Sequence, residues 1–264
     1  MNKLNEARLT TEAQFQDARM RRALSGKQEL RDRFYFINRE AYVRYVSLLK
    51  DLAGRRVVVV GSSDGGVTPL AREGVFVEGI DISPVSIATL QHAIDKEGLS
   101  KFASARVMNA ETLEYPLASI DAISCSGVLH HLDTERALRC WASQLKDDGF
   151  VVLFEPLAFH PVAAMFRLLT PHMRTSDEHP LKPSDFRLMA KYFATVEPRF
   201  YGITTVVSAA LAALPGCEKI AKSLLPKLES LDRWLVRTIP LLSRLCWLTV
   251  VRLGRPYRIT NTAI

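Results

Sequence analysis

Cysteine is scarce in this chain of 264 residues: Cys125, Cys140, Cys217 and Cys246 stand far apart, with no CxxC pair and no zinc-ligand spacing. That excludes a disulfide framework and points to no metal site; free thiols in a reducing cytoplasm are the expectation. Long apolar runs are also missing. ITTVVSAALAAL stops at Pro215 and IPLLSRLCWLTVV is broken by Arg244, so neither reaches the ~18 residues that a spanning helix needs. The first residues, MNKLNEARLTTEAQFQDARMRR, are polar and charged, unlike the apolar centre of a secretory signal. Internal repeats and low-complexity tracts are absent too.

What is present is an uneven charge. The net charge is +7, yet basic and acidic residues number 13 and 7 in 1–56, 7 and 14 in 57–158, and 15 and 7 in 159–264. An acidic centre between basic flanks suits a middle segment that holds a cationic cosubstrate, with flanks that face an anionic acceptor, a membrane surface or nucleic acid. A solvated basic surface is the plainer alternative.

The order of elements gives the fold class. RRVVVVG reads as a buried strand entering a glycine-bearing turn, TPLAREG as a helix closed by Gly74, and VFVEGIDIS as a second strand. SPVSIATLQHAIDKEG then reads as a helix with Ser83 as its N-cap and Pro84 at its first position. ARVMNA, DAISCSGVLHHL and GFVVLFEP continue as strands, with ERALRCWASQLKDDG as the helix before the last. This alternation predicts a parallel sheet with helices on both faces, a Rossmann-like α/β fold whose sixth and seventh strands lie around TVEPRFYGI and CWLTVVRLGRP. The expected organisation is a helical cap over 1–50, a core over 51–203, a helical insert covering the site over 204–243, and the final strand and tail over 244–264.

In such sheets ligands sit beyond the carboxyl ends of the strands. Gly61, Gly65 and Gly66 allow close backbone approach there, although such turns also occur without ligands. Asp81 ends the second strand about twenty residues later, where a carboxylate can accept from both ribose hydroxyls of an adenosine cofactor. Its alternative role is to cap the helix at Pro84, a role that Ser83 can fill instead. A nicotinamide enzyme shares these features, but SSDGG lacks the GxGxxG phosphate-binding pattern.

From VVVVGSSDGG through VEGIDISP, VMNAETLEYP and IDAISCSGVLHHL to LKDDGFVVLFEP, residues 55–158 resemble the class I S-adenosylmethionine (SAM)-dependent methyltransferase family. The resemblance implies SAM as methyl donor. It puts Gly61, Ser62, Ser63 and Gly65 along the methionyl part, Asp81 on the ribose, Ile82 on the adenine face, Asn109 and Ala110 on the adenine edge, and Ser126 near the methionyl group. The sequence departs from the family pattern at Val59 and Asn109, where acids are usual, and at Ser63, where glycine is. Tyr35, Asn38 and Arg39 are candidates to compensate from the N-terminal cap.

Methyl transfer is an in-line displacement, so the protein mainly aligns the reactants, and a base is needed only where the acceptor must lose a proton. Glu155, closing the fifth strand, is the preferred base or orienting group, followed by His130 and His131, whose alternative is to cap and pack the next helix. The insert, with Leu211, Leu214, Leu224, Leu225, Leu235 and Leu242 among Lys219, Lys222, Lys227, Arg233 and Arg237, favours a lipophilic small-molecule acceptor with an anionic group, such as an isoprenoid or a lipid- or glycan-linked compound in natural-product biosynthesis, and peripheral membrane contact. No metal is expected. Inactive binding modules and nucleic-acid modification are the rivals, and the chain shows no nucleic-acid recognition motif.

Overall fold

The computed structural model describes residues 3–25, 35–61, 66–170, 175 and 178–258. Strand β1 (Arg56–Val60) buries Val57, Val58, Val59 and Val60, because a central parallel strand meets a helix layer on each face and gains nothing from alternation. Strands β2 (Phe76–Asp81), β3 (Ala103–Val107), β4 (Ile120–Ser126) and β5 (Leu145–Pro156) run parallel to it. Between them lie α3 (Val67–Arg72), α4 (Pro84–Lys96) and α5 (Thr134–Gln144). Strand β7 (Leu248–Pro256) inserts antiparallel between β5 and β6 (Phe193–Tyr201), giving the order β3-β2-β1-β4-β5-β7-β6. This is the expected seven-stranded Rossmann-like sheet.

Local signals in the sequence are realised in the helices. Ser83 Oγ accepts from Ser86 N at 3.0 Å, capping α4 in front of Pro84. Gly74 takes a positive φ of 78° just past α3. The core splits into two layers. Ile80, Ile123, Leu138, Trp141 and Met189 fill one face, and Tyr45, Val59, Leu70, Leu90 and Ile94 the other.

The helical cap expected over 1–50 holds α1 (Lys3–Leu24) and α2 (Arg39–Ser47) among the described residues. The insert holds α8 (Val206–Ala212), α9 (Glu218–Thr238) and a 3-10 turn, Pro240–Leu245. Pro226 does not break α9 but lies inside it, on its exposed side. The buried face of α9 carries Ala221, Leu225, Glu229 and Asp232 at helical spacing. Asp232 accepts from Ile203 N, Thr204 N and Thr204 Oγ1 at 2.7–2.9 Å. Ion pairs Arg39–Glu229 and Arg233–Glu40 tie α9 to α2. Arg39 and Arg233 are therefore engaged in holding helices together. No helix among the described residues is long and apolar enough to cross a membrane.

The four cysteines are unpaired. Burial pushes the Cys246 thiol up to about 12 and raises Cys140 also, and burial with the nearby Glu155 carboxylate raises Cys125 well above its ordinary value. A thiol reagent at pH 8 is expected to titrate about one equivalent, Cys217, in the native chain, and four only after denaturation. Fast labelling of a second thiol in the native protein would contradict this packing.

Candidate active site

A cleft opens where the strand order reverses, at the carboxyl ends of β1, β2, β3 and β4. Its walls include Gly61, Asp81, Ile82, Met108, Ala110, Gly127 and Val128. Gly61 sits at φ 83°, and a Cβ there would overlap a Val128 methyl group, so the turn needs glycine twice over. Gly61 N bonds Ile80 O at 2.9 Å, carrying the β1–β2 ladder one residue past the strand. Ser83 N donates to Asp81 Oδ1 at 2.8 Å, which pins that carboxylate at the rim.

The fourth wall is α1, which lays Arg8, Leu9, Glu12, Gln16 and Arg19 along the cleft. Arg8 pairs with the buried carboxylate of Glu111 and donates to His131 O at 3.0 Å. Asp17 accepts from Ser83 Oγ and from Val85 N, at the start of α4. With these side chains in place, the cleft keeps about 60 Å³ of free volume, well under the ~300 Å³ of an ordinary small-molecule site. Entry of a cofactor therefore requires α1 or its side chains to withdraw.

The residues picked out from sequence divide into three groups. Gly61, Asp81, Ile82, Ala110 and His131 line the cleft. Ser62, Ser63 and Gly65 lie outside the described residues. Asn109, Ser126, Tyr35, His130 and Glu155 do not line it. Asn109 Oδ1 accepts from Glu111 N, so that oxygen serves the local turn, and Tyr35 is about half exposed. Val59, standing where an acid is usual, is packed in the core.

Glu155 is placed away from the cleft. It is fully buried, and its Oε1 accepts from Val128 N at 3.0 Å and Leu129 N at 2.8 Å, while Oε2 faces His130 Nδ1 at 2.6 Å. A strand-end carboxylate was expected to reach the ligand, but the 3-10 turn Leu129–His131 folds over it. That turn has amide groups to satisfy, and Glu155 satisfies them. It offers no oxygen to an acceptor.

His131 has Nδ1 3.3 Å from Glu12 Oε1. Burial raises the Glu12 carboxyl, but the hydrogen bond and charge of His131, with hydrogen bonds from Gln16 and Thr175, bring it down to about 2. Burial disfavours a charged His131 ring, yet Glu12, with the charges of Glu178 and Glu155, outweighs burial and lifts its pKa above the usual histidine value.

Residues 58–153 match the family model of a methyltransferase domain. The chain carries a methyltransferase domain over that segment. It is an enzyme whose methyl donor is SAM. A phosphatidylethanolamine N-methyltransferase of Cereibacter sphaeroides is 28% identical over 149 residues, 55% of this chain and 70% of the relative. A ubiquinone biosynthesis O-methyltransferase of Methylocella silvestris is 32% identical over 104 residues, 39% of this chain and 40% of the relative. Among solved structures, geranyl diphosphate C-methyltransferase from Streptomyces coelicolor, in complex with Mg²⁺, geranyl diphosphate and S-adenosylhomocysteine, superposes with a TM-score of 0.57 at 14% identity, covering 82% of this chain and 79% of that one.

The polar stripe on α1 was missed from sequence. Its positions 8, 12, 16 and 19 follow helical spacing, and that was the available signal.

Proposed function

We propose that this methyltransferase acts on an amphiphile, an apolar molecule with an anionic or polar head, which it meets at a membrane surface. The observation that carries this is a second pocket of about 360 Å³, walled by Leu157, Phe159, Phe186 and Phe200 and bearing Lys182 and Arg244. It lies along β6, the edge strand, which contributes Val196, Pro198 and Phe200 to its lining. Apolar walls suit a hydrocarbon chain and the two cations suit phosphate or carboxylate.

Helix α6 (Pro161–Leu169) continues the pocket outward from Phe159. Val162, Met165, Leu168 and Leu169 are exposed, the last two at 80% and 69%, and Arg167 is the helix's one charge. Leu241 and Leu245 of the Pro240–Leu245 turn are exposed as well. An apolar face of this kind on a helix too short to span suits the lipid interface, and the +8 balance of residues 159–264 favours anionic lipid. The named relatives act, by their names, on a phospholipid, in ubiquinone biosynthesis, and on a prenyl diphosphate; these substrate classes support the reading.

In this proposal Asp81 holds the ribose, Ile82, Met108 and Ala110 enclose adenine, and Gln16 and Arg19 of α1 meet the zwitterionic tail that has no acid at Val59. Closing α1 excludes water while the acceptor attacks the methyl carbon, the C–S bond breaks, and S-adenosylhomocysteine leaves. Of the three residues considered for catalysis, His131 lines the cleft and orients the acceptor.

The test is S-adenosylhomocysteine release with acceptor lipids in anionic vesicles against short-chain soluble analogues. Leu168→Glu with Leu169→Glu is expected to weaken vesicle binding by ~10–100-fold, with SAM affinity unchanged. Arg244→Ala is expected to raise KM for an anionic acceptor by ~10-fold. Equal turnover of soluble and vesicle-borne acceptors by the double variant would sink the membrane reading.

A further inference from the structure

Beside the cofactor cleft, which His131 lines and His130 does not, these two consecutive imidazoles stand with ring centroids 4.2 Å apart. Each faces a different carboxylate through Nδ1: Glu155 at 2.6 Å for His130 and Glu12 at 3.3 Å for His131. A third carboxylate arrives from the segment before α7 (Pro183–Tyr192). One donor atom from each of His130, His131 and Glu178 lies within 4.8 Å of the others. His179 N donates to His130 O at 2.8 Å, so a backbone bond one residue away holds the Glu178 segment against the pair.

Histidines that ligate metals characteristically give their other ring nitrogen to a carboxylate, which fixes the tautomer and raises ligand basicity. Here His130 does so, and its partner Glu155 is itself held by Val128 N and Leu129 N, while His131 Nδ1 lies 3.3 Å from Glu12 Oε1. Three acids, Glu12, Glu155 and Glu178, surround two imidazoles, a charge balance that favours a dication over the bare cluster.

We propose that His130, His131 and Glu178 bind one divalent transition-metal ion beside the cofactor cleft. Two imidazoles with one carboxylate suit zinc, cobalt or iron, whereas Mg²⁺ and Ca²⁺ prefer oxygen ligands. Bonds of ~2.0–2.1 Å around a tetrahedral ion put ligand atoms about 3.4 Å apart. The present triangle closes to that size by rotation of Glu178, which is half-buried in a loop and so freest to move. Three protein ligands leave at least one position open. Because His131 lines the cleft, that position can take an oxygen of the acceptor, holding it and lowering the pKa of a hydroxyl. This role rests on the methyltransferase reading; the binding of the ion does not.

The experiment is a Co²⁺ titration of the chelator-treated full chain, followed by visible absorption, with Zn²⁺ competition and a SAM titration of the same samples. One Co²⁺ per chain is expected, with the intense visible bands of a low-coordinate site that Zn²⁺ abolishes. Saturating Zn²⁺ is expected to raise the thermal midpoint by roughly 5 °C. Glu178→Gln and His131→Gln are each expected to lower Co²⁺ affinity by ~100-fold while both chains keep the wild-type circular dichroism. A weak, six-coordinate aqueous spectrum, or unchanged Co²⁺ affinity in both variants, would overturn the metal site even if SAM binds. Absence of SAM binding with an intact Co²⁺ spectrum would leave the site standing and remove its proposed role in methyl transfer.

Discussion

Glu155→Ala is expected to destabilise the fold by about 3–5 kcal/mol, the cost of removing a buried carboxylate on which three hydrogen bonds converge. The carboxylate is fully inaccessible and serves Val128 N, Leu129 N and His130 Nδ1 together. Truncation leaves two buried amides and an imidazole without their acceptor, each a desolvated group of ~1–3 kcal/mol, and the contributions overlap because they share one turn. Glu155→Gln keeps one oxygen for the amides and loses charge only toward His130, so about 1–2 kcal/mol is expected. Urea unfolding followed by circular dichroism reads both. If Glu155 were the catalytic base, turnover would vanish with stability unchanged; the structure predicts the reverse order of effects, with stability falling first and activity following the folded fraction.

That contrast shows where sequence reasoning stopped. The rule that ligands lie beyond strand ends located residue 155 at the site's end of the sheet, and there it is. The rule is silent on where a side chain goes once a neighbouring loop needs acceptors. The strands themselves were legible, because Val57–Val60 and Val151–Leu153 are apolar without interruption, a pattern that only a doubly covered strand sustains. Ser83 and Pro84 were equally legible, since a cap is a local bond between neighbours.

Contacts across long separations were not. Glu12 and His131 are 119 positions apart, and Glu178 joins them from the approach to α7. No periodicity encodes such a meeting. Helix α1 is polar on most sides, so its sequence gives no apolar stripe to show which face turns inward. What fixes it is a set of individual pairs, Arg8 with Glu111, Glu12 with His131 and Asp17 with Ser83. The reading of 204–243 as helices was right in kind. It did not reveal that Glu229 and Asp232 use the inward face of α9 to hold α2 and the Ile203–Thr204 turn.

Asp81→Ala is expected to weaken SAM binding by about 100–1,000-fold, measured by calorimetry. A carboxylate accepting from two ribose hydroxyls makes two charge-assisted hydrogen bonds of ~1.5–3 kcal/mol each, and every 1.4 kcal/mol is about tenfold in affinity. Part of the loss comes from the protein alone, because Asp81 Oδ1 also accepts from Ser83 N at 2.8 Å and so orders the junction of β2 and α4. Asp81→Asn separates the two contributions. Its amide retains an oxygen for Ser83 N and gives up charge and one acceptor, so about tenfold is expected. S-adenosylhomocysteine has the same ribose and lacks only the methyl group and its positive charge. Both ligands should therefore lose affinity by the same factor in each variant. A loss confined to SAM would mean that Asp81 acts on the sulfonium charge through space, and an affinity within threefold of the parent for Asp81→Ala would remove the ribose from its neighbourhood altogether.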